Sequence, residues 1–283
     1  MFPNLGSQYQ FIKKIGSGGA GVVNLAVDLH SGFLVAIKTL FSNHLNNEEI
    51  VQKFQTEANI YLMLDHPNIV KLKNFIIRDK VPHLVQEYVE GQTLDNYIKR
   101  VTGPMPTDKC LKIMTSILSA INYAHQKTIP IRGYDGVLHL DIKPGNVLIG
   151  KTGEIKIIDY GISQGNSQER GKKIQGSPMY MAPEQLDISK NLDERTDIYS
   201  LGVLLHFILT ASQPYTESPT LDSLFKKITH DPLVRSHDLY PGVDKRFQKI
   251  IDKATKKEPF ERYQSCYEFI SALEELKLDY ANY

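Results

Sequence analysis

His139-Leu140-Asp141-Ile142-Lys143-Pro144-Gly145-Asn146 sets a carboxylate, an ammonium and an amide at fixed offsets on one short stretch. Such a set can divide a group transfer among its members. Asp141 would accept the proton of an incoming hydroxyl and orient it for in-line attack. Lys143 would neutralise charge on a transferred phosphoryl group. Asn146 would offer its amide oxygen to Mg²⁺, a hard cation that takes oxygen ligands. Asp159 ends the apolar run Ile155–Ile158 and precedes Tyr160-Gly161, where a carboxylate is a natural second Mg²⁺ ligand. A solvated polar loop leading into the Val147–Ile149 strand is the plainer explanation, and the spacing of four polar residues weighs against it.

Two oddities lie upstream. Val35-Ala36-Ile37-Lys38 ends an apolar strand on a lysine, and Glu57 interrupts the helical stripe Ile50, Phe54, Tyr61 and Leu64. A strand-end lysine normally points to solvent, and a carboxylate on an apolar face needs a partner. Each supplies what the other lacks: Lys38 as a cation for phosphates, Glu57 as its counter-ion. Before them stands Gly16-Ser17-Gly18-Gly19-Ala20-Gly21-Val22-Val23. Glycines let backbone N–H groups approach phosphate oxygens, although a hairpin turn alone explains them equally well. The cluster leads into strand-like Val22–Val27, which disfavours a dinucleotide-binding turn that opens a helix.

The elements that must position these residues change character along the chain. Phe11–Ile15, Val22–Val27, Leu34–Leu40, Ile69–Ile77 and His83–Tyr88 read as strands, with a helix over Ile50–Leu64. After Gly91 helices dominate: an amphipathic one through Leu111–Ala124, one apolar almost all round over Thr196–Ala211, then Phe247–Thr255 and Tyr267–Leu276. Strands followed by helices predict an α+β fold with two lobes, residues 1–89 and 90–283.

Composition bounds the role. Lys+Arg 33 against Asp+Glu 32 leaves a formal charge of +1, without the basic excess expected of a nucleic-acid binder. Cys110 and Cys266 lack metal-ligand spacing and argue for a reducing, cytoplasmic setting. The chain shows neither a signal-peptide plan nor an apolar run long enough to span a membrane, though a longer parent protein could carry one.

The glycine loop, the VAIK lysine, the helix glutamate, the H-x-D-x-K-x-x-N loop, Asp159-Tyr160-Gly161 and Ala182-Pro183-Glu184 occur in one order. On these motifs the chain, from about Tyr9 to Leu276, resembles a eukaryotic-type (Hanks-type) serine/threonine protein kinase catalytic domain, in wording nearest to bacterial members. The resemblance implies transfer of the ATP γ-phosphoryl group to protein hydroxyls with Mg²⁺ or Mn²⁺. It implies nucleotide contacts from Ile15, Gly16, Gly18, Gly21, Val23, Ala36, Lys38 and Leu148, with Gln86 as gatekeeper and Glu87 to Val89 as the hinge. It makes Asp141, Lys143, Lys38 and Glu57 the catalytic set, and Asn146 and Asp159 the metal ligands. Tyr61, Leu72, His139 and Tyr160 match the stacked side chains that link the lobes of active members. Asp197 matches the acid that anchors the catalytic loop, and Glu184 and Arg262 match a buried ion pair. Lys143 and Ser177 point to the serine/threonine class.

Some residues depart from the pattern. Leu140 replaces the arginine that pairs with a phosphorylated activation loop, so activity should depend little on such a phosphate. Ser163, Ser167 and Ser177 remain candidate autophosphorylation sites. Tyr160 replaces phenylalanine. The stretch 126–137 looks longer than usual and reads first as a solvated surface insertion, second as a partner contact. A catalytically silent scaffold on the same fold would have lost Lys38, Asp141 or a metal ligand, and all are present. A small-molecule phosphotransferase would lack Gly176–Glu184.

Overall fold

The computed structural model describes residues 5, 8–129, 134–160, 164–165, 176–215 and 218–281. The chain separates into two compact units, Met1–Glu90 with Asp159–Gly161, and Gly91–Ile158 with Ile162–Tyr283.

The first unit is an antiparallel sheet of β1 (Tyr9–Ser17), β2 (Gly21–Asp28), β3 (Leu34–Leu40), β4 (Leu72–Arg78) and β5 (Val81–Glu87), in the order β1-β2-β3-β5-β4. Helix α1 (Glu48–Met63) follows β3 in the chain. It begins at Asn47, whose side chain accepts the Ile50 N–H at 3.3 Å, and Glu48 and Glu49 suit the positive end of its dipole. The period-2 alternation sorts the sheet into two faces. Ala26, Val35, Ile37 and Val85 cluster with Leu5 and Tyr9 on one. Val23 pairs with Lys38, and Ala36 with Gln86, so these four share the other face.

Thr39 pairs with His83 on the core side, with Oγ1 2.9 Å from Nδ1. Burial pushes the His83 imidazole down to about 4. Its folded-state value lies below the unfolded one, so its neutral form stabilises fully above the unfolded pKa. That contribution drains away as the pH falls from about 6.5 toward about 4. Thermal unfolding of the wild type should therefore drop more steeply across this window than that of His83→Gln. Equal slopes would contradict the assignment.

The second unit holds β6 (Gly91–Thr93), α2 (Leu94–Tyr97), α3 (Thr107–His125), β7 (Thr128–Ile129), β8 (Tyr134–Asp135), β9 (Val137–Leu138), β10 (Val147–Gly150), β11 (Ile155–Ile157) and β12 (Gln164–Gly165). Helices α4 (Glu194–Thr210), α5 (Leu221–His230), α6 (Ser236–Leu239), α7 (Arg246–Ala254) and α8 (Cys266–Ala281) complete it. Every residue of α4 from Thr196 to Thr210 is buried, which explains its lack of a polar face. It packs against α3 and α7. A Cβ on Gly202 would sit 2.7 Å from Ala254 Cβ, so the α4–α7 approach demands glycine. The sheet β11-β10-β6 carries the strand that follows the candidate catalytic loop.

A sheet with one helix, then a mainly helical unit, is the α+β architecture expected. Three details differ. Ile69 and Val70 are buried but lie outside β4, because apolar runs report burial and not a hydrogen-bonded ladder. Helices α2, α5 and α6 went unanticipated. In the stretch 126–137, β7 and β8 pair as a hairpin and Val137 is fully buried, so its C-terminal end is core and not solvated surface. Residues 130–133, including Arg132, lie outside the described residues.

Candidate active site

In the sheet unit, Lys38 Nζ lies 2.8 and 2.9 Å from the two Glu57 oxygens and 3.0 Å from Asp159 Oδ1. Glu57 is 2% exposed. Burial works against the Lys38 charge, yet Glu57 and Asp159 outweigh it and hold the ammonium well above its ordinary range. A buried carboxylate in the α1 stripe and a strand-end lysine are thus one ion pair. The Asp159 N–H donates to the Tyr61 hydroxyl at 2.8 Å, and Asp159 holds a left-handed φ of 68°. The Tyr160 ring meets that of Tyr61 edge-on, with centroids 5.5 Å apart. Leu72 is buried in β4.

The glycine cluster forms the end of β1, the turn and the start of β2. The Gly18 N–H donates to Gly21 O at 2.9 Å, and a Cβ on Gly21 would lie 2.2 Å from Thr39 O. Gly18 and Gly19 border open space, Gly16 pairs with Val23, and Ile15 is exposed. Gln86 is buried. The Glu87 N–H donates to Lys71 O, and the Lys71 N–H donates back to Glu87 Oε1, each at 2.9 Å. Any purine contact from Glu87–Val89 must therefore use other backbone groups than the Glu87 N–H.

In the helical unit, β9 delivers the loop His139–Asn146. Asp197 of α4 accepts the His139 N–H at 2.7 Å and the Leu140 N–H at 2.8 Å. Burial opposes its ionisation, but His125 and the His139 N–H outweigh that and hold its pKa low. Lys143 Nζ donates to Asp141 Oδ2 and to Ser177 Oγ, both at 2.6 Å. Asn146 Nδ2 donates to Asp141 O at 2.8 Å and to Oδ2 at 3.1 Å. Both amide hydrogens are thereby turned toward Asp141, leaving the amide oxygen as the group suited to a hard cation. Asp141 Oδ1 is buried and has no hydrogen-bond partner among the described residues. Leu148 is half-buried in β10, opposite Thr93.

Leu140 sits in an apolar cluster with Leu138 and Leu192, at the position where the family resemblance implies an arginine. Ser177 Oγ is engaged by Lys143, so this hydroxyl serves the loop. Ser163, Ser167 and Gly161 lie outside the described residues. Two residues escaped sequence reasoning. His125 Nε2 is 2.8 Å from Asp197 Oδ2. Burial works against its charge, and Cys266 and Asp197 nonetheless raise its pKa to about 10. Gln185 is buried against the loop. A histidine ending a helix and a glutamine after Ala-Pro-Glu carry no pattern that would have found them.

A sheet unit of this strand order, followed by a helical unit built around one buried helix, places the fold among the two-lobed phosphotransferases. The family model described as "Protein kinase domain" matches residues 9–273, and the chain belongs to that family. It is 36% identical over 266 residues to serine/threonine-protein kinase PrkC of Bacillus subtilis, covering 93% of this chain and 39% of that relative. It is 33% identical over 268 residues to probable serine/threonine-protein kinase PknB of Lactococcus lactis, covering 93% and 41%. It is 30% identical over 274 residues to serine/threonine-protein kinase PknB of Mycobacterium tuberculosis, covering 94% and 42%. The chain spans about two fifths of the length of these relatives. Members of the family use ATP and a divalent metal ion. Among the described residues, no helix is long and apolar enough to cross a membrane.

Proposed function

We propose that this domain transfers the γ-phosphoryl group of ATP to serine and threonine hydroxyls of proteins, with Mg²⁺ as the working metal ion. The observation that carries the reading is the asymmetry of the Asp141 carboxylate. Oδ2 is fixed by Lys143 and Asn146, while Oδ1 is buried and has no partner among the described residues. A buried acceptor without a donor is costly to maintain, and a substrate hydroxyl is the donor that fits.

Asp141 then orients the acceptor oxygen and receives its proton, while Lys143, already on Oδ2, lowers the charge near the transferred group. Lys38, held by Glu57, takes the nucleotide phosphates. Ile15, Gly16, Gly18, Gly21, Val23, Ala36, Gln86 and Val89 of the sheet unit would offer nucleotide contacts, and Leu148 would do so from the helical unit. Asp159 of the sheet unit would offer a carboxylate and Asn146 of the helical unit an amide oxygen, each a kind of donor that Mg²⁺ and also Mn²⁺ take. Held by these residues, such an ion would supply positive charge against the nucleotide phosphates. Two free buried cysteines, Cys110 and Cys266, support a reducing, cytoplasmic setting. The anchored loop needs no phosphate: Asp197 holds it from below, and Leu140 offers no cation for one.

The test uses phosphatase-treated protein and three peptides identical except for a serine, threonine or tyrosine acceptor. Serine and threonine peptides are expected to be phosphorylated within about threefold of the untreated rate, and the tyrosine peptide hardly at all. Preference for tyrosine would overturn the acceptor class. Loss of turnover after treatment, with the protein still folded, would overturn phosphate independence.

A further inference from the structure

The residue before Asp141 is strained and doubly held. Leu140 has a φ of 64°, a left-handed conformation that costs free energy for a branched side chain. Such a conformation persists only where the surroundings fix it. The Leu140 N–H is captured by Asp197. The Leu140 carbonyl accepts from Gln185 Nε2 at 3.0 Å. That carbonyl and the Asp141 N–H belong to one rigid peptide plane, and the Asp141 N–H donates to His139 Nδ1 at 3.3 Å. The Gln185 amide therefore grips one edge of the plane from which the Asp141 side chain hangs, and His139 grips the other.

Gln185 is 1% exposed. Its other end, Oε1, accepts the Ala182 N–H at 3.0 Å. The direction of the amide is set by its neighbours, because a backbone N–H can only donate and a carbonyl can only accept. One buried side chain thus ties the Ala182-Pro183-Glu184 segment to the backbone of the catalytic loop. Two residues upstream of that segment, the chain is fixed to α4, where Ser200 Oγ donates to Tyr180 O at 2.7 Å.

We infer that Gln185 is a positioning residue for phosphoryl transfer: it fixes the peptide plane that aims Asp141 at the acceptor hydroxyl and couples that aim to the Ala-Pro-Glu segment. This rests on the proposed kinase activity. Loss of the Leu140 bond frees the strained peptide to rotate, which misplaces the Asp141 carboxylate. The nucleotide-binding residues of the sheet unit are untouched by such a change. The inference thus predicts a fall in kcat without a matching rise in KM for ATP.

The experiment compares wild type, Gln185→Met and Gln185→Leu with a serine peptide and Mg–ATP. Methionine keeps the volume and removes both bonds. Leucine is smaller and makes neither bond. Both variants are expected to lose about tenfold or more in kcat with KM for ATP within about twofold, while melting remains cooperative. A folded Gln185→Met protein with wild-type kcat would overturn the inference. So would activity that falls only in proportion to the folded fraction. Should the methionine variant not fold, wild-type kcat in a folded Gln185→Leu protein would overturn it equally. A wild type that transfers no phosphate would sink the kinase reading itself, an outcome visible before any variant is compared.

Discussion

Replacing Asp141 by Asn is expected to lower kcat by about 10³-fold or more while leaving the affinity for ATP within about twofold. The substitution is nearly isosteric. An amide oxygen can still face Lys143 Nζ, so the loop should keep its shape. What disappears is the group that orients and takes the hydroxyl proton, because an amide nitrogen offers a donor where Oδ1 offers an acceptor. Nucleotide affinity should survive, since the Lys38–Glu57 pair belongs to the other unit and does not involve Asp141. Steady-state kinetics give the first quantity and ATP-dependent thermal shift gives the second. A variant retaining a tenth or more of wild-type kcat would remove Asp141 from the mechanism.

The second large effect concerns stability. Arg262 is 2% exposed, and all five of its N–H donors are spoken for. Nη1 and Nη2 clasp Glu184 at 2.6 and 2.8 Å, and the remaining donors reach the carbonyls of Lys256, Lys257 and Arg195 at 2.8 to 2.9 Å. The guanidinium also lies 5.0 Å from the Tyr199 ring centroid. Arg262→Leu removes the guanidinium from a buried carboxylate and three carbonyls. Removal of one member of a buried pair is expected to destabilise by about 3–5 kcal/mol, against about 1 kcal/mol or less for an exposed pair. Adding Glu184→Leu should restore only part of the loss, because the carbonyls remain without donors. Denaturant unfolding measures both, and a single-variant loss below about 1 kcal/mol would show that the pair behaves as if solvated.

The site was legible where chemistry and spacing coincide on one segment. Asp141, Lys143 and Asn146 stand within six residues, and hydrogen bonds from Lys143 and Asn146 converge on Asp141. Glu57 betrayed itself by polarity in an apolar stripe. The sequence was silent where a contact joins distant segments. Gln185 lies 45 residues from Leu140, and His125 lies 72 from Asp197. Nothing local marks either as polar and buried. The left-handed Leu140 gave no signal either, since that conformation usually announces itself as glycine. Helix α5 has Leu224 and Ile228 one turn apart and a Thr220 cap that accepts the Ser223 N–H. That signal was present but short. Ile69 and Val70 show the converse failure, in which burial imitates a strand.

The most direct test of the account is whether label moves from γ-labelled ATP to a basic acceptor protein. Label is expected on phosphoserine or phosphothreonine, abolished by EDTA and by Asp141→Asn. Label that persists in the Asp141→Asn protein, or no transfer by wild type that still shows ATP-dependent stabilisation and receives a suitable acceptor, would contradict it.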